Sequence, residues 1–468
     1  MRHVSAFGAD ALGDLDAVGL VHALRRGAVS AVDLVDAAIA RTKAVNPALN
    51  GLAHEAFAQA RERAAHKQGG YFDGVPTFIK DDTYVEGMPT MHGTDAWAPK
   101  LSESHDDFAR FFLGTGLVPL GKTQLSEFGF SASAEHPRIG AVRNPWNTDY
   151  TAGASSSGAA AFVAAGVVPL ASGSDGGGSI RIPAACNGLV GLKPSRGRLP
   201  LGSTARQLPV RIVHNGVLTR SVRDTATFYR EGERIWRNRS LPPIGAVTGP
   251  SPDRLRVAVV TRSVRHDSSP AIRDHTLKTA ALLEELGHRV DYLDRQPIPE
   301  RFADDFLVYW ASLAMGAYRG GRVVYGEPFD RDRLDNLTRG LDRHARRNLH
   351  RLPAAVARLR RLRKATAQFY SDHDVLLTPT LATDTPVIGH LDPGASYEQI
   401  INRLIDWVAF TPLQNVTGEP SMSLPLAQSA DDMPVGMMFS APLGHEKRLL
   451  ELAYELEAAR PFARIQDR

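Results

Sequence analysis

Helical spacing is clearest behind Ser30, where Leu34, Val35, Ala38 and Ile39 form one apolar face that runs to about Ala44. Asp33, three residues after Ser30, completes the signature of a capped helix start. Residues 117–121 (LVPLG) and 167–172 (VVPLAS) are short apolar runs that predict buried strands. Pro119 and Pro169 belong at strand ends or edges, because proline has no N–H to give a ladder. Between these runs, residues 157–165 are mostly Ser, Gly and Ala, the composition of a helix that packs closely on a sheet. Strand–helix alternation of this kind predicts an α/β domain with helices on both faces.

Residues 237–252 (RNRSLPPIGAVTGPSP) interrupt the alternation with a linker-like segment rich in Pro, Gly and Ser. It then resumes: RLRVAVVTRS predicts a strand, Ser269-Pro270 opens a helix that Gly287 closes, and HRVDYLD predicts the next strand. DVLLTP and SMSLPLA add short strands further on, which favours one continued sheet over a second domain. Residues 339–364 hold ten Arg or Lys, with Leu352, Val356, Leu359 and Leu362 at helical spacing on the other side. That pattern predicts a helical pair with solvated basic faces, the second helix starting at Pro353.

Composition narrows the class without naming a reaction. The chain has 468 residues, 43% hydrophobic and 23% charged, ordinary values for a globular protein with a large core. A formal charge of +4, from 55 basic and 51 acidic side chains, is too small to argue for nucleic acid. A single cysteine, Cys186, excludes an intramolecular disulfide and reads as a buried small residue. The N-terminal segment lacks the apolar core of a signal peptide, and no run approaches the length of a spanning helix. The expected placement is therefore cytoplasmic, with no membrane partner.

Three motif readings compete. GLVPLGKT (Gly116 to Thr123) satisfies the phosphate-loop pattern, but its interior is apolar and strand-like and Pro119 lacks an N–H, so nucleotide binding is the weaker reading. Sixteen histidines are present without HExxH or paired His/Cys spacing, and no serine lies in a GxSxG elbow. The stretch from Gly153 to Pro194 is more telling. It places Ser155 and Ser179 on two small-residue turns 24 positions apart, and Lys80 stands upstream in GVPTFIKDD. Gly176, Gly177 and Gly178 allow a sharp turn whose N–H groups, with that of Ser179, can meet a developing oxyanion. From these residues alone, a nucleophilic Ser179 and a plain glycine-rich turn both remain open.

GVPTFIKDD, GKTQLSEF, RNPWN, GASSSGAA, GSDGGGSIRIPA, GLVGLKPSRGRLP and NVTGEPSMSLPLA with MPVGMM stand in order from about residue 74 to 440. Together they resemble the amidase signature family, most of all its actinobacterial, mycobacterial-type members, with nylon-oligomer cyclic-dimer hydrolases as more distant relatives. The resemblance implies an α/β fold, a central mixed β-sheet covered by helices on both faces, as one domain over residues 1–468 with the signature core at about 74–200. It implies a Ser–Ser–Lys triad: Ser179 as nucleophile, Ser155 as bridging serine after a cis peptide, and Lys80 as general base. The backbone N–H groups of Gly176, Gly177, Gly178 and Ser179 match the oxyanion hole, and Asp175 and Arg181 match supporting positions. No metal or organic cofactor is implied; the partner is a small-molecule amide, linear or cyclic, and the implied assembly is a homodimer.

The physical logic agrees with those roles. A serine hydroxyl attacks only when a base takes its proton, a lysine is a base only when burial or a nearby charge lowers its pKa, and a hydroxyl can relay a proton because it both donates and accepts. Four positions depart from the family pattern: Gly153-Ala154 replaces Gly-Gly, Ser157 and Gly176 replace Gly and Thr, and Cys186-Asn187 replaces Phe-Cys. None removes a triad member. Phe128, Phe130, Tyr309, Trp310, Trp407 and Phe410 are the candidate walls of a substrate pocket and favour an aliphatic or aryl amide. The alternative within the fold is the amidotransferase subunit that releases ammonia from glutamine for charged tRNA.

Overall fold

The structure is a computed structural model, and it describes residues 3–296, 298–326 and 329–467. Its centre is an eight-stranded mixed sheet. From edge to edge the strands are Arg289–Leu293, Arg256–Val260, Val375–Pro379, Pro434–Ser440, Ser421–Gln428, Val190–Lys193, His214–Thr219 and Leu170–Asp175. The first three run parallel and every later pairing is antiparallel. Val375–Pro379 and Pro434–Ser440 are buried at every position, as expected of strands covered on both faces. Strands from before and after the 237–252 segment therefore share one sheet. The segment itself is held to the body by Glu233, whose carboxylate accepts the Ile244 and Gly245 N–H groups at 3.0 and 3.2 Å.

A second sheet of three strands brings Pro76–Lys80 to the edge strand Leu170–Asp175. Thr77 Oγ1 donates to Leu170 O at 2.9 Å and the Lys80 N–H donates to Ser172 Oγ at 3.0 Å. Lys80 and Asp175, each the last residue of its strand, consequently lie at the same end. Ser157–Ala164 is a helix buried at every residue. Its small residues are required: a Cβ on Gly158 would lie 2.2 Å from Gly51 O.

Several element boundaries differ from expectation for local reasons. The Ser30 helix, capped as anticipated by a reciprocal Ser30–Asp33 box, runs on through Pro47 to Leu49 and ends at Asn50 in the left-handed region (φ 52°). The 167–172 strand shifts to Leu170–Asp175, because Pro169 cannot join the ladder and pairing starts after it. Pro119 instead sits inside Val118–Thr123, opposite Thr77, where the pairing with Pro76–Lys80 changes register. The basic stretch forms two helices, Asn336–Asn348 and Leu352–Asp372, with Arg346 and Arg358 paired to Asp342 and Asp305. Among the described residues no helix is long and apolar enough to cross a membrane.

Candidate active site

The loop that follows Leu170–Asp175 is fixed by Asp175. Its Oδ1 accepts the Gly178 N–H at 2.8 Å, its Oδ2 accepts the Ile180 N–H at 3.1 Å, and both oxygens accept the Arg181 guanidinium at 2.9 Å. Asn415 completes the cluster, donating to Asp175 Oδ1 at 2.8 Å and accepting from Arg181 Nη2 at 2.6 Å. Asp175 and Arg181 are both 0% exposed. Burial alone would raise the Asp175 pKa, but the charge and hydrogen bonds of Arg181 outweigh it and hold the carboxyl below its ordinary range. The stability Asp175 contributes is therefore full above its unfolded value near 3.8 and is lost as the pH falls through the lower folded value. Asp175→Ala leaves Arg181 buried and uncompensated, and is expected to cost about 3–5 kcal/mol in denaturant unfolding.

Glycine is required at one of the three loop positions. Gly178 has φ 133°, and a Cβ there would lie 2.4 Å from Thr411 Oγ1 and 2.6 Å from Ile182 Cδ1. A Cβ on Gly176 would meet only Val213 Cγ2 at 3.6 Å, an ordinary contact. Gly178→Ala should thus cost about 1–3 kcal/mol and displace the loop, whereas Gly176→Ala should leave the melting temperature nearly unchanged. Parallel thermal melts of the two variants check the contrast. The Gly178 N–H already donates to Asp175 Oδ1, so of the four donors expected to meet an oxyanion it is the one engaged elsewhere. An N–H has one proton to donate, and here Asp175 Oδ1 accepts that hydrogen bond.

Lys80 is 1% exposed, and its Nζ donates to Ser155 Oγ at 2.7 Å and to Ser174 Oγ at 2.8 Å. The Ala154–Ser155 peptide is cis. Asp82 Oδ2 lies 3.4 Å from Lys80 Nζ and accepts the Ser174 hydroxyl. Burial lowers the Lys80 pKa, against the opposing pull of Asp82 and Asp175. Burial would raise Asp82, but Lys80 and the Ser174 hydrogen bond more than cancel that and keep it ionised. Ser155, Ser174, Ser179 and Asp82 all line one cavity of about 230 Å³. Among the described residues no hydrogen bond joins the Ser155 and Ser179 hydroxyls.

Three of the six anticipated aromatics line this cavity: Phe128, Phe130 and Trp310. The other three stand elsewhere. Tyr309 faces the core, where its hydroxyl donates to Val210 O at 2.6 Å. Trp407 and Phe410 are 1% and 0% exposed in apolar clusters behind the wall. Phe302 and Phe306 were missed, and the signal was present. They stand eight and four residues before Trp310 on the helix Phe302–Tyr325, so the three share a face, with successive ring centroids 6.1 and 6.4 Å apart. Tyr309, one residue back, is turned about 100° away. Asp82 and Ser174 were also missed: Asp82 stands only two residues beyond Lys80 in the chain, whereas Ser174 reaches Lys80 only through the fold.

The departures from the family pattern have plain structural roles. Ser157 Oγ donates to Gly153 O, one turn back. Cys186 is fully buried, with its thiol pushed up to about 12 by burial, and a Cβ on Gly153 would approach its Sγ to 2.9 Å. In GLVPLGKT, Lys122 is 0% exposed and donates to Thr83 O and Thr90 Oγ1 at 2.5 and 3.1 Å, with Asp81 Oδ1 at 3.5 Å. That lysine is enclosed and cannot reach a phosphate.

A family model described as Amidase matches residues 33–450. The chain is 66% identical over 466 residues to "Putative amidase AmiC" of Mycobacterium leprae (strain TN), covering 100% of this chain and 99% of the relative. Among solved structures it is similar to a 6-aminohexanoate cyclic dimer hydrolase, with TM-score 0.88 and 30% identity over 98% of this chain and 99% of that one. It is also similar to a bacterial aryl acylamidase of the amidase signature enzymes, with TM-score 0.85 and 26% identity over 97% and 98% of the two chains.

Proposed function

The chain belongs to the amidase family, and from that membership we propose that it cleaves carboxylic amides through Ser179, Ser155 and Lys80. Hydrolysis of an amide C–N bond is the reaction class the family carries. The observation that supports this route is the 2.7 Å contact between Lys80 Nζ and Ser155 Oγ beneath a cavity that Ser179 lines.

Neutral Lys80 takes the Ser155 hydroxyl proton while Ser155 Oγ takes the proton of Ser179. Ser179 Oγ forms a bond to the amide carbon, and the carbonyl oxygen becomes an anion facing the N–H groups of Gly176, Gly177 and Ser179. Collapse breaks the C–N bond, and the amine leaves with a proton returned from Lys80 through Ser155. Water then attacks the ester, its proton passing along the same relay, and Ser179 Oγ departs reprotonated as the acid is released. Buried Lys80 suits this role because burial favours its neutral form.

The substrate class follows from the walls. Phe128, Phe130, Phe306 and Trp310 surround the space in front of Ser179, which suits an aliphatic or aryl acyl group. Glutamine would leave those faces unfilled, so the amidotransferase reading is not favoured. A screen of linear, aryl and cyclic amides, read as released amine or ammonia, should find turnover among apolar acyl amides. Turnover confined to glutamine, or none across the set, would overturn the reading.

A further inference from the structure

Two apolar cavities meet at one side chain. Phe302 lines the cavity of about 230 Å³ in front of Ser179 and also a second one of about 220 Å³. The second lies between the start of helix Phe302–Tyr325 and helix Leu352–Asp372, with Pro299, Leu359, Leu362 and Ala365 in its wall. The Phe302 ring packs at a tilt against Phe306 on the first side, at 6.1 Å between centroids, and joins Leu359 and Leu362 in one apolar cluster on the other.

We propose that Phe302 is the partition that sets the length of acyl chain this enzyme accepts, and that the second cavity is an unused extension of the acyl site. The proposal rests on the reading of the first cavity as the amide-binding site. The backbone holds the partition in place: the Phe302 N–H donates to Pro299 O at 3.0 Å, and the residue opens a helix of 24 residues. The frame around it is braced separately. Arg358 Nη2 and Nε donate to Asp305 Oδ1 and Oδ2 at 2.6 and 2.7 Å, joining the two helices that bound the second cavity. Removing the ring therefore leaves a gap between two supported walls, and that gap joins two spaces of similar size into one apolar channel.

Chain length then converts into affinity in a simple way. Each methylene that leaves water for an apolar wall is worth about fourfold in binding. In the wild type the gain stops where the chain meets Phe302, and further carbons must turn back toward solvent. With Phe302 truncated, the gain continues into the second cavity.

The test is the acyl-length profile of kcat/KM, measured on p-nitroanilides from butyryl to lauroyl. Phe302→Ala should move the optimum to longer chains and raise the long-to-short ratio about 10–100-fold. Phe302→Leu, which retains apolar bulk and guards against misfolding, should shift the optimum in the same direction by less. Adding Leu359→Trp to Phe302→Ala should refill the second cavity and restore the wild-type optimum. An unchanged optimum in both single variants, or a gain that survives Leu359→Trp, overturns the proposal. A second arm does not need catalysis: calorimetric affinities of linear carboxylic acids for Ser179→Ala, with and without Phe302→Ala. A length dependence altered by Phe302→Ala supports the partition even where no amide is cleaved, and an identical one overturns it whatever the reaction proves to be.

Discussion

Ser179→Ala is expected to lower amide turnover by about four orders of magnitude or more, the scale seen when a nucleophile is removed from a machinery that acts as a unit. The fold should survive. Ser179 is 8% exposed and lies on the cavity wall, and its hydroxyl bonds to no described residue, so alanine orphans no partner. The loop remains tied through the Asp175 contacts to Gly178 and Ile180. A melting temperature within about 2 °C of the wild type separates loss of chemistry from loss of structure. A fluorophosphonate should add once to the wild type, at Ser179, and not to the variant. Substantial turnover by Ser179→Ala, or an adduct mapped to another serine, would remove it as the nucleophile.

Lys80→Met should lose roughly three orders of magnitude or more at neutral pH, because it removes the base and keeps the volume. The wild-type pH profile adds a sign. Burial holds the Lys80 pKa below the ordinary lysine value of 10.5 while Asp82 pulls it back up. Only the neutral amine can accept a proton, so kcat/KM should rise with pH through the folded Lys80 pKa and level off above it. Asp82→Asn removes a carboxylate that favours the ammonium form, 3.4 Å from Nζ, and should move that rising limb to lower pH. A limb that stays where it was in Asp82→Asn, or that persists in Lys80→Met, would show that another group titrates there.

Much of the architecture was legible because it depends on neighbours in the chain. The Ser30–Asp33 box is a local hydrogen-bond exchange, and the helix that follows appears where the spacing predicts. Ser269-Pro270 opens a helix for an equally local reason. Strand registers were not legible in this way: the two proline-containing runs shifted or bulged according to which ladder each one met. The phosphate-loop match shows the same limit in reverse. GLVPLGKT has the right letters, but Lys122 belongs to a strand at the middle of a sheet and faces Asp81, whose carboxyl burial raises to about 6.

For the candidate site, the sequence by itself determined the kinds of group present and the loops that carry them. A glycine turn next to a serine, a second serine turn and an upstream lysine are contiguous features, and their chemistry follows from residue type. Only the tertiary structure decided what each group faces. It took the Gly178 N–H for Asp175, set Ser174 and Asp82 against Lys80, and chose Phe302, Phe306 and Trp310 over Tyr309, Trp407 and Phe410 as the cavity wall. The reason is geometric. One step along a helix turns a side chain by about 100°, so spacing puts Phe302, Phe306 and Trp310 on one face but not against Ser179, and Asp175 draws Asn415 from a segment distant in the chain.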